Sequence, residues 1–472
     1  MSDVEPDEDP TGNLNSSVSR HYEETTTRAS YQCPGEPYSI PLSIHLARMA
    51  AGYSKCQTCE YRSDAGHGPA DHPTRQPQVS PPLVRSSLLT DENVRGVYLN
   101  ELDRKRALAW GEALASYAWE QHPMMARRKL AGRSQIVVDV TSEKKQPGTT
   151  GPTVVVGFDE RPSSPDIITG VVLGLRRMGC PVIDLGQTVL PAIAFNSVAL
   201  DAVAAIYVTG SGCSPSMTGF DLLSRGALPF PPAGLLTLEQ AVKNGVSRQT
   251  RQIGGYRAQQ GHANYESSLL AHFHAVRPLR IVCGSSMRLL PRILDRVFAK
   301  LPCELTHVSL PTRRRDLFDV ADGDLQRVAN VVVTSQQHLG VVIDDDGCHA
   351  AFITDRGRLV TPREVARLII EIAQREHQAP KFVVGTSLIK DVSRWLIGRD
   401  AAAIDGGETP VGLVQQLIES DAVLALSGDG RIWFQHSYPT CDALLVLANV
   451  LRALSLSDAM FSDVISRIGV EG

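Results

Sequence analysis

Strand-like and helix-like stretches alternate along most of this chain, and that alternation restricts its architecture more than any other feature. Thr153 to Val156 is a short run of β-branched residues. Ser164-Pro165-Asp166 follows, which predicts a helix start: a serine cap, a proline at the first position and an acid at the positive end of the dipole. Ile167, Val171, Leu175 and Met178 then form one apolar face. A strand over Val182–Leu185, a helix opening near Pro191 and a strand over Ala204–Val208 complete the series. Ahead of it, Ala107, Trp110, Leu114 and Tyr117 recur at helical spacing.

A second series opens with a strand over Leu279–Cys283 and a helix carrying Leu290, Ile293 and Val297. Strands are predicted near Val331–Val333 and Val341–Ile343. Thr361-Pro-Arg-Glu364 reads as a capping box, with Val365, Leu368, Ile369 and Ile372 as the stripe behind it. A third, shorter series runs from Phe382–Val384 to a helix with Leu444, Leu447, Leu451 and Leu454 aligned. Repeated alternation of this kind predicts an α/β fold of mostly parallel sheets covered by helices. Such sheets bind ligands beyond the carboxyl ends of their strands, so the loops there are where chemistry is sought.

Length and charge narrow the function. The chain has 472 residues, and at roughly 150 residues per domain it should hold about three. With 47 basic and 51 acidic side chains the formal charge is −4, which argues against a nucleic-acid-coating protein. No stretch approaches the ~18 to 20 uncharged apolar residues of a membrane span. The acidic start lacks the pattern of a signal peptide, so a cytoplasmic protein is expected. Nine cysteines, an odd number spread along the chain, suit a reducing compartment better than a disulfide framework.

The N-terminal part differs in composition. Residues 1–30 are polar and read as a disordered tail, and residues 63–83 are rich in Gly, Pro, His and Asp, as in a linker. Between and around these, residues 31–75 hold Cys33 and the pair Cys56-x2-Cys59, with His67 and His72 behind them. Cys33, Cys56, Cys59 and His67 would suffice for a structural Zn²⁺. Free or core cysteines, and redox use, are the alternatives. A zinc knot here would dock on the rest of the chain or on a protein partner.

Three loops after predicted strands carry small or charged residues. Thr209 to Phe220 places Ser211 among glycines, suited to a phosphate, although a tight surface turn would look the same. Ile343 to His349 sets Asp344, Asp345 and Asp346 side by side; these repel one another unless a hard cation such as Mg²⁺ or Ca²⁺ intervenes or water solvates them. Ser427 to Arg431 reads in isolation as a hairpin turn.

In order and spacing these pieces resemble the α-D-phosphohexomutase superfamily, the phosphoglucomutases and phosphomannomutases. Val94-Arg-Gly-Val97 is similar to the family's opening arginine–glycine segment, and Val154 to Pro165 to its first strand and turn. Thr209 to Phe220 falls where the family has Thr-Ala-Ser-His-Asn-Pro, and Gly340 to Gly357 follows its Asp-Gly-Asp-Gly-Asp-Arg metal loop. Thr409 to Gly412 and Ser427 to Arg431 fall on its third-domain substrate loops. The resemblance implies three consecutive α/β/α domains with mixed sheets, preceded by the small Cys-rich segment. Their expected bounds are 84–228, 255–378 and 379–458, with a tail at 459–472.

It further implies phosphoryl transfer on a hexose phosphate through a phosphoserine and Mg²⁺, catalysed mostly by positioning and charge neutralisation. Ser211 takes the position of that serine. Ser211, Asp344 and Asp346 take metal positions, and Arg95, Thr209, Val411, Gly412, Ser427, Asp429 and Arg431 take substrate positions. Departures are plain. Gly212, Cys213 and Ser214 replace His, Asn and Pro. Cys348 and His349 replace the third Asp and the Arg of the metal loop, where a shifted set Asp344–Asp345–Asp346 is the alternative. Ser427 to Arg431 replaces Glu-x-Ser-Gly-His. The fourth-domain Arg-x-Ser-Gly-Thr-Glu-Pro loop does not occur before Gly472. The expectation is a mutase-like protein of weak or lost activity; the alternative is a non-catalytic phosphosugar-binding or scaffolding relative.

Overall fold

A computed structural model describes residues 30–33, 36–51, 53–57, 59, 61, 87–127, 151–435 and 437–470. The polar tail, the 63–83 segment, His67 and His72 lie outside them. The chain divides into two units, Met1–Leu83 and Val84–Gly472. In the first, strands Ser30–Gln32 and Ser39–Pro41 pair antiparallel, followed by helix Leu42–Ala50 and a 3-10 turn over Ser54–Gln57.

The second unit contains three mixed sheets of seven, five and four strands. Each has the same central path. In the first, Val182–Gln187, Val154–Phe158, Ala204–Val208 and Met217–Ser224 lie side by side, the last antiparallel. Numbered along the chain this order is 2-1-3-4. The second sheet repeats it with Glu304–Ser309, Arg280–Ser285, Leu339–Ile343 and Ala350–Thr354. The third repeats it with Ala402–Asp405, Lys381–Val384, Leu424–Leu426 and Ile432–Phe434. Strands Val154–Phe158, Ala204–Val208, Arg280–Ser285, Leu339–Ile343, Lys381–Val384 and Leu424–Leu426 are largely buried, as in a sheet covered on both faces, whereas Glu304–Ser309 and Ala402–Asp405 are partly exposed. In all three sheets the hairpin from strand 3 to strand 4 leaves the carboxyl end of a parallel strand. These hairpins are the serine loop, the acidic loop and the Ser427–Arg431 turn.

Local signals explain most elements. The capping box at Thr361 and Glu364 forms, opening helix Pro362–Glu376. Helices Arg104–Arg127 and Ser164–Arg177 pack backbone to backbone, and a Cβ at Gly170 or Gly174 would meet the carbonyl oxygen of Arg104 or Leu108 at 2.2 Å. Two expectations are corrected. Val331–Val333 is the last turn of helix Gly323–Thr334, not a strand. Asp322 caps that helix, and only Val332 of the three valines is buried, a helical rather than an extended pattern. Ser164 does not cap its helix; its hydroxyl donates to Asp159 instead. All nine cysteines are unpaired, and among the described residues no helix is long and apolar enough to cross a membrane.

Candidate functional site: a cleft joined by three hairpins

The serine loop is built on Asp159. Its two carboxylate oxygens accept hydrogen bonds from Arg161 N (3.0 Å), Ser164 Oγ, Thr209 Oγ1 (2.8 Å) and Gly210 N (3.2 Å). Thr209 Oγ1 in turn accepts from Ser211 N at 2.9 Å. With Gly212 at φ +73°, a conformation glycine adopts without strain, the chain turns and leaves Ser211 on the cleft wall. Ser211 is buried, and its Oγ has no hydrogen-bond partner.

Arg161 ties this loop to the acidic one. It is 4 % exposed. Its Nη1 donates to Ser214 O (2.9 Å) and Met217 O (3.3 Å), and its Nη2 to Cys213 O and Asp345 Oδ2, both at 3.4 Å. Asp345 also accepts from Ser286 Oγ. Its side chain is therefore committed away from the cleft, and the shifted metal set Asp344–Asp345–Asp346 is not formed.

Asp344, Asp346 and His349 do converge, with one donor atom from each lying within 4.8 Å of the others. Burial first, then the charges of Asp346 and Asp345, raise the Asp344 carboxyl to about 6. Burial pushes Asp346 the same way, but contact with His349 and the Cys348 N–H outweighs it, and the net shift is downward. His349 sits 3.9 Å from both Asp346 and Asp429. Burial disfavours its charge, yet these two carboxylates hold its proton well above the usual imidazole range. Cys348, at the third metal position of the resemblance, belongs to a buried cluster with Val383, Leu413 and Cys441 and also lines the cleft. The Cys441 thiol beside it and burial raise its pKa well above the usual range, so it is no ligand for a hard cation.

The third hairpin closes through Ser427 N to Arg431 O (2.9 Å). Arg431 reaches Glu92 with both terminal nitrogens (2.8 and 3.2 Å) and Asp429 with Nε (2.8 Å), over the face of Trp433. Arg95 pairs with Asp221 at 2.6 Å.

These groups meet in one cavity of about 320 Å³; of the site residues the sequence suggested, Arg95, Ser211, Asp344, Asp346, Val411, Asp429 and Arg431 line it, together with Glu92, Asp221, Cys348 and His349. Thr209, Gly412 and Ser427 do not line it; they shape the loops behind it. Gly412 N donates to Thr409 Oγ1 at the start of helix Pro410–Glu419. Sequence reasoning assigned no role to Asp159, Arg161, Glu92 or Asp221. For Asp159 and Arg161 the signal was present, since they stand in the 154–165 segment whose resemblance was most specific.

Residues 131–249 match the family phosphoglucomutase/phosphomannomutase, alpha/beta/alpha domain I. The chain is 23% identical to the phosphoglucosamine mutase of Chlamydia pneumoniae over 338 residues, 67% of this chain and 71% of that one. It is also 23% identical to a phosphoglucomutase/phosphomannomutase of Thermococcus kodakarensis, over 69% and 73% of the two chains. A crystal structure of a phosphoglucomutase/phosphomannomutase family protein from Burkholderia thailandensis superposes with a TM-score of 0.70 at 21% identity, covering 82% and 80%. Residues 131–249 thus carry the α/β/α domain I of phosphoglucomutases and phosphomannomutases, and the fold of the chain is similar to that of such proteins.

Proposed function

We propose that this protein carries out phosphoryl transfer between Ser211 and a hexose phosphate bound in the cleft. The observation that carries the reading is the buried, unpartnered Ser211 Oγ in the same cavity as the converged Asp344, Asp346 and His349. Ser211 Oγ, Asp344 and Asp346 are oxygen donors of the kind Mg²⁺ takes, and they are the residues that would hold it. Bound there, the cation would offset charge on the transferring phosphoryl group. His349 stands where the family has arginine and keeps a positive charge at the same place. Arg161 holds the serine and acidic loops in register, which such a transfer needs because it depends on positioning.

The Glu92–Arg431–Asp429 cluster favours a second reading, binding with little turnover. It replaces a carboxylate that would grip sugar hydroxyls with an arginine already engaged by two acids. Intact mass and peptide mapping of residues 203–225 separate the two. If transfer operates, glucose 1,6-bisphosphate phosphorylates Ser211, hexose monophosphate removes the phosphate, and Ser211→Ala abolishes both. A serine that stays unmodified under these conditions leaves binding without turnover.

A further inference from the structure

In the Met1–Leu83 unit, Cys33, His45, Cys56 and Cys59 line one small cavity of about 10 Å³, room for a single water-sized sphere. The elements that bring them there are short. Cys33 begins a turn closed by Glu36 N to Cys33 O at 3.0 Å, and Cys56 lies in the 3-10 turn Ser54–Gln57. His45 and Arg48, three residues apart on helix Leu42–Ala50, share a face. Cys33 and Cys59 are buried, and His45 is 2 % exposed, its ring stacked on Tyr31 at 4.1 Å and 5°. Its Nε2 is buried with no hydrogen-bond partner, a costly state for a nitrogen in a wall of thiols.

Little else supports this fold. Its buried hydrophobic cluster among the described residues is Tyr31, Cys33 and Ile40, too few to close a core by burial alone.

We propose that this unit is a structural zinc site of the Cys₃His type, with Cys33, Cys56, Cys59 and His45 Nε2 as ligands. The fourth ligand is thus His45 and not His67. Three thiolates and one imidazole suit Zn²⁺, and its binding free energy supplies what the small core lacks. Arg48 Nη1 touches Cys33 Sγ at 3.4 Å while also pairing with Glu36 at 3.4 Å, and Lys55 lines the same cavity, so the charge next to such a centre is one net cation. Among the described residues these donors do not form a group of three within 4.8 Å, so ligation would require the side chains to turn inward and Cys33 Sγ to leave Arg48. The proposal is independent of the mutase reading.

The full chain, purified with zinc, tests it. Elemental analysis should find one zinc per chain. Alkylation with peptide mapping should show Cys33, Cys56 and Cys59 protected until a chelator is added, while Cys213 reacts in both states. His45→Ala should lose zinc to a chromogenic chelator at least about tenfold faster. His67→Ala should match the wild type, and His45→Cys, which restores a fourth donor, should recover retention. Absence of zinc overturns the proposal. So does protection confined to Cys348 and Cys441, or loss of metal in His67→Ala with retention in His45→Ala.

Discussion

Arg161 offers the sharpest test of how the cleft is held together. Replacing it with methionine keeps the length of the side chain and removes the charge. Asp345, 5 % exposed, then keeps only Ser286 of its partners, and the carbonyls of Cys213, Ser214 and Met217 lose a donor. Removing one partner of a buried ion pair costs about 3–5 kcal/mol. Because the serine and acidic loops share this residue, the cost falls on their local opening. At about 1.4 kcal/mol per tenfold, it corresponds to two to four orders of magnitude in amide exchange. The reporters are the N–H groups of Gly210, Met217 and Cys348, each hydrogen-bonded within these loops. Exchange in the third-sheet strand Lys381–Val384 should stay as in the wild type. Arg161→Met combined with Asp345→Asn removes the stranded charge and should regain about 1–3 kcal/mol of the loss. Exchange within threefold of wild type in the single variant, or no regain in the double, would refute the reasoning.

Three further outcomes follow from the same geometry. Cys348→Asp, which restores the family's residue, should not strengthen metal binding. It adds a carboxylate at a buried position, 4 % exposed and beside Asp344 and Asp346, and should lower stability by several kcal/mol, on the order of the penalty for a poorly paired buried polar group; calorimetric titration showing tighter Mg²⁺ binding would contradict it. Asp344, raised from 3.8 to about 6, contributes stability that is fully present below pH 3.8 and is lost as pH rises through about 6. The loss is up to roughly 3 kcal/mol at about 1.36 kcal/mol per pH unit. Metal-free wild type should therefore weaken between pH 4 and 7 relative to Asp344→Asn in parallel denaturant titrations, and saturating Mg²⁺ should remove the difference. Gly174→Val drives a side chain into the Leu108 carbonyl and should cost about 1–3 kcal/mol through overpacking, read as a lower unfolding midpoint.

Much of this was legible in the chain. The strands at 154–156, 204–208 and 341–343 are continuous apolar runs, and burial on both faces of a sheet leaves that signature directly; the strand at 182–185 shows it despite Asp184. Val331–Val333 misled because a β-branched run carries no period of its own; only the Asp322 cap, nine residues earlier, marks it as helix. Ser211, Asp344 and Asp346 were singled out through spacing against a family pattern, and they line one cavity. The roles of Asp345 and Cys348 were not, because loop spacing says nothing about which side chain an arginine from another hairpin will claim. Thr209, Gly412 and Ser427 also fell on site positions but do not line the cavity, a distinction that loop spacing does not carry. Glu92 and Arg431 are 339 positions apart, beyond any local rule.

The thrice-repeated 2-1-3-4 path also bears on how such a protein changes over time. Each hairpin leaves a sheet whose strands are already paired, so only some residues at its tip, such as Cys348, also serve a core. Substitutions such as Gly212, His349 or Arg431 then alter chemistry one loop at a time while the scaffold is inherited intact. Arg161 is the exception, a rivet between two of the three tips. The Ser427–Arg431 tip is held differently, by Arg431 on Glu92 and by Asp429 beside His349, so a change of specificity there would have to keep or replace those exposed-side contacts rather than a buried one.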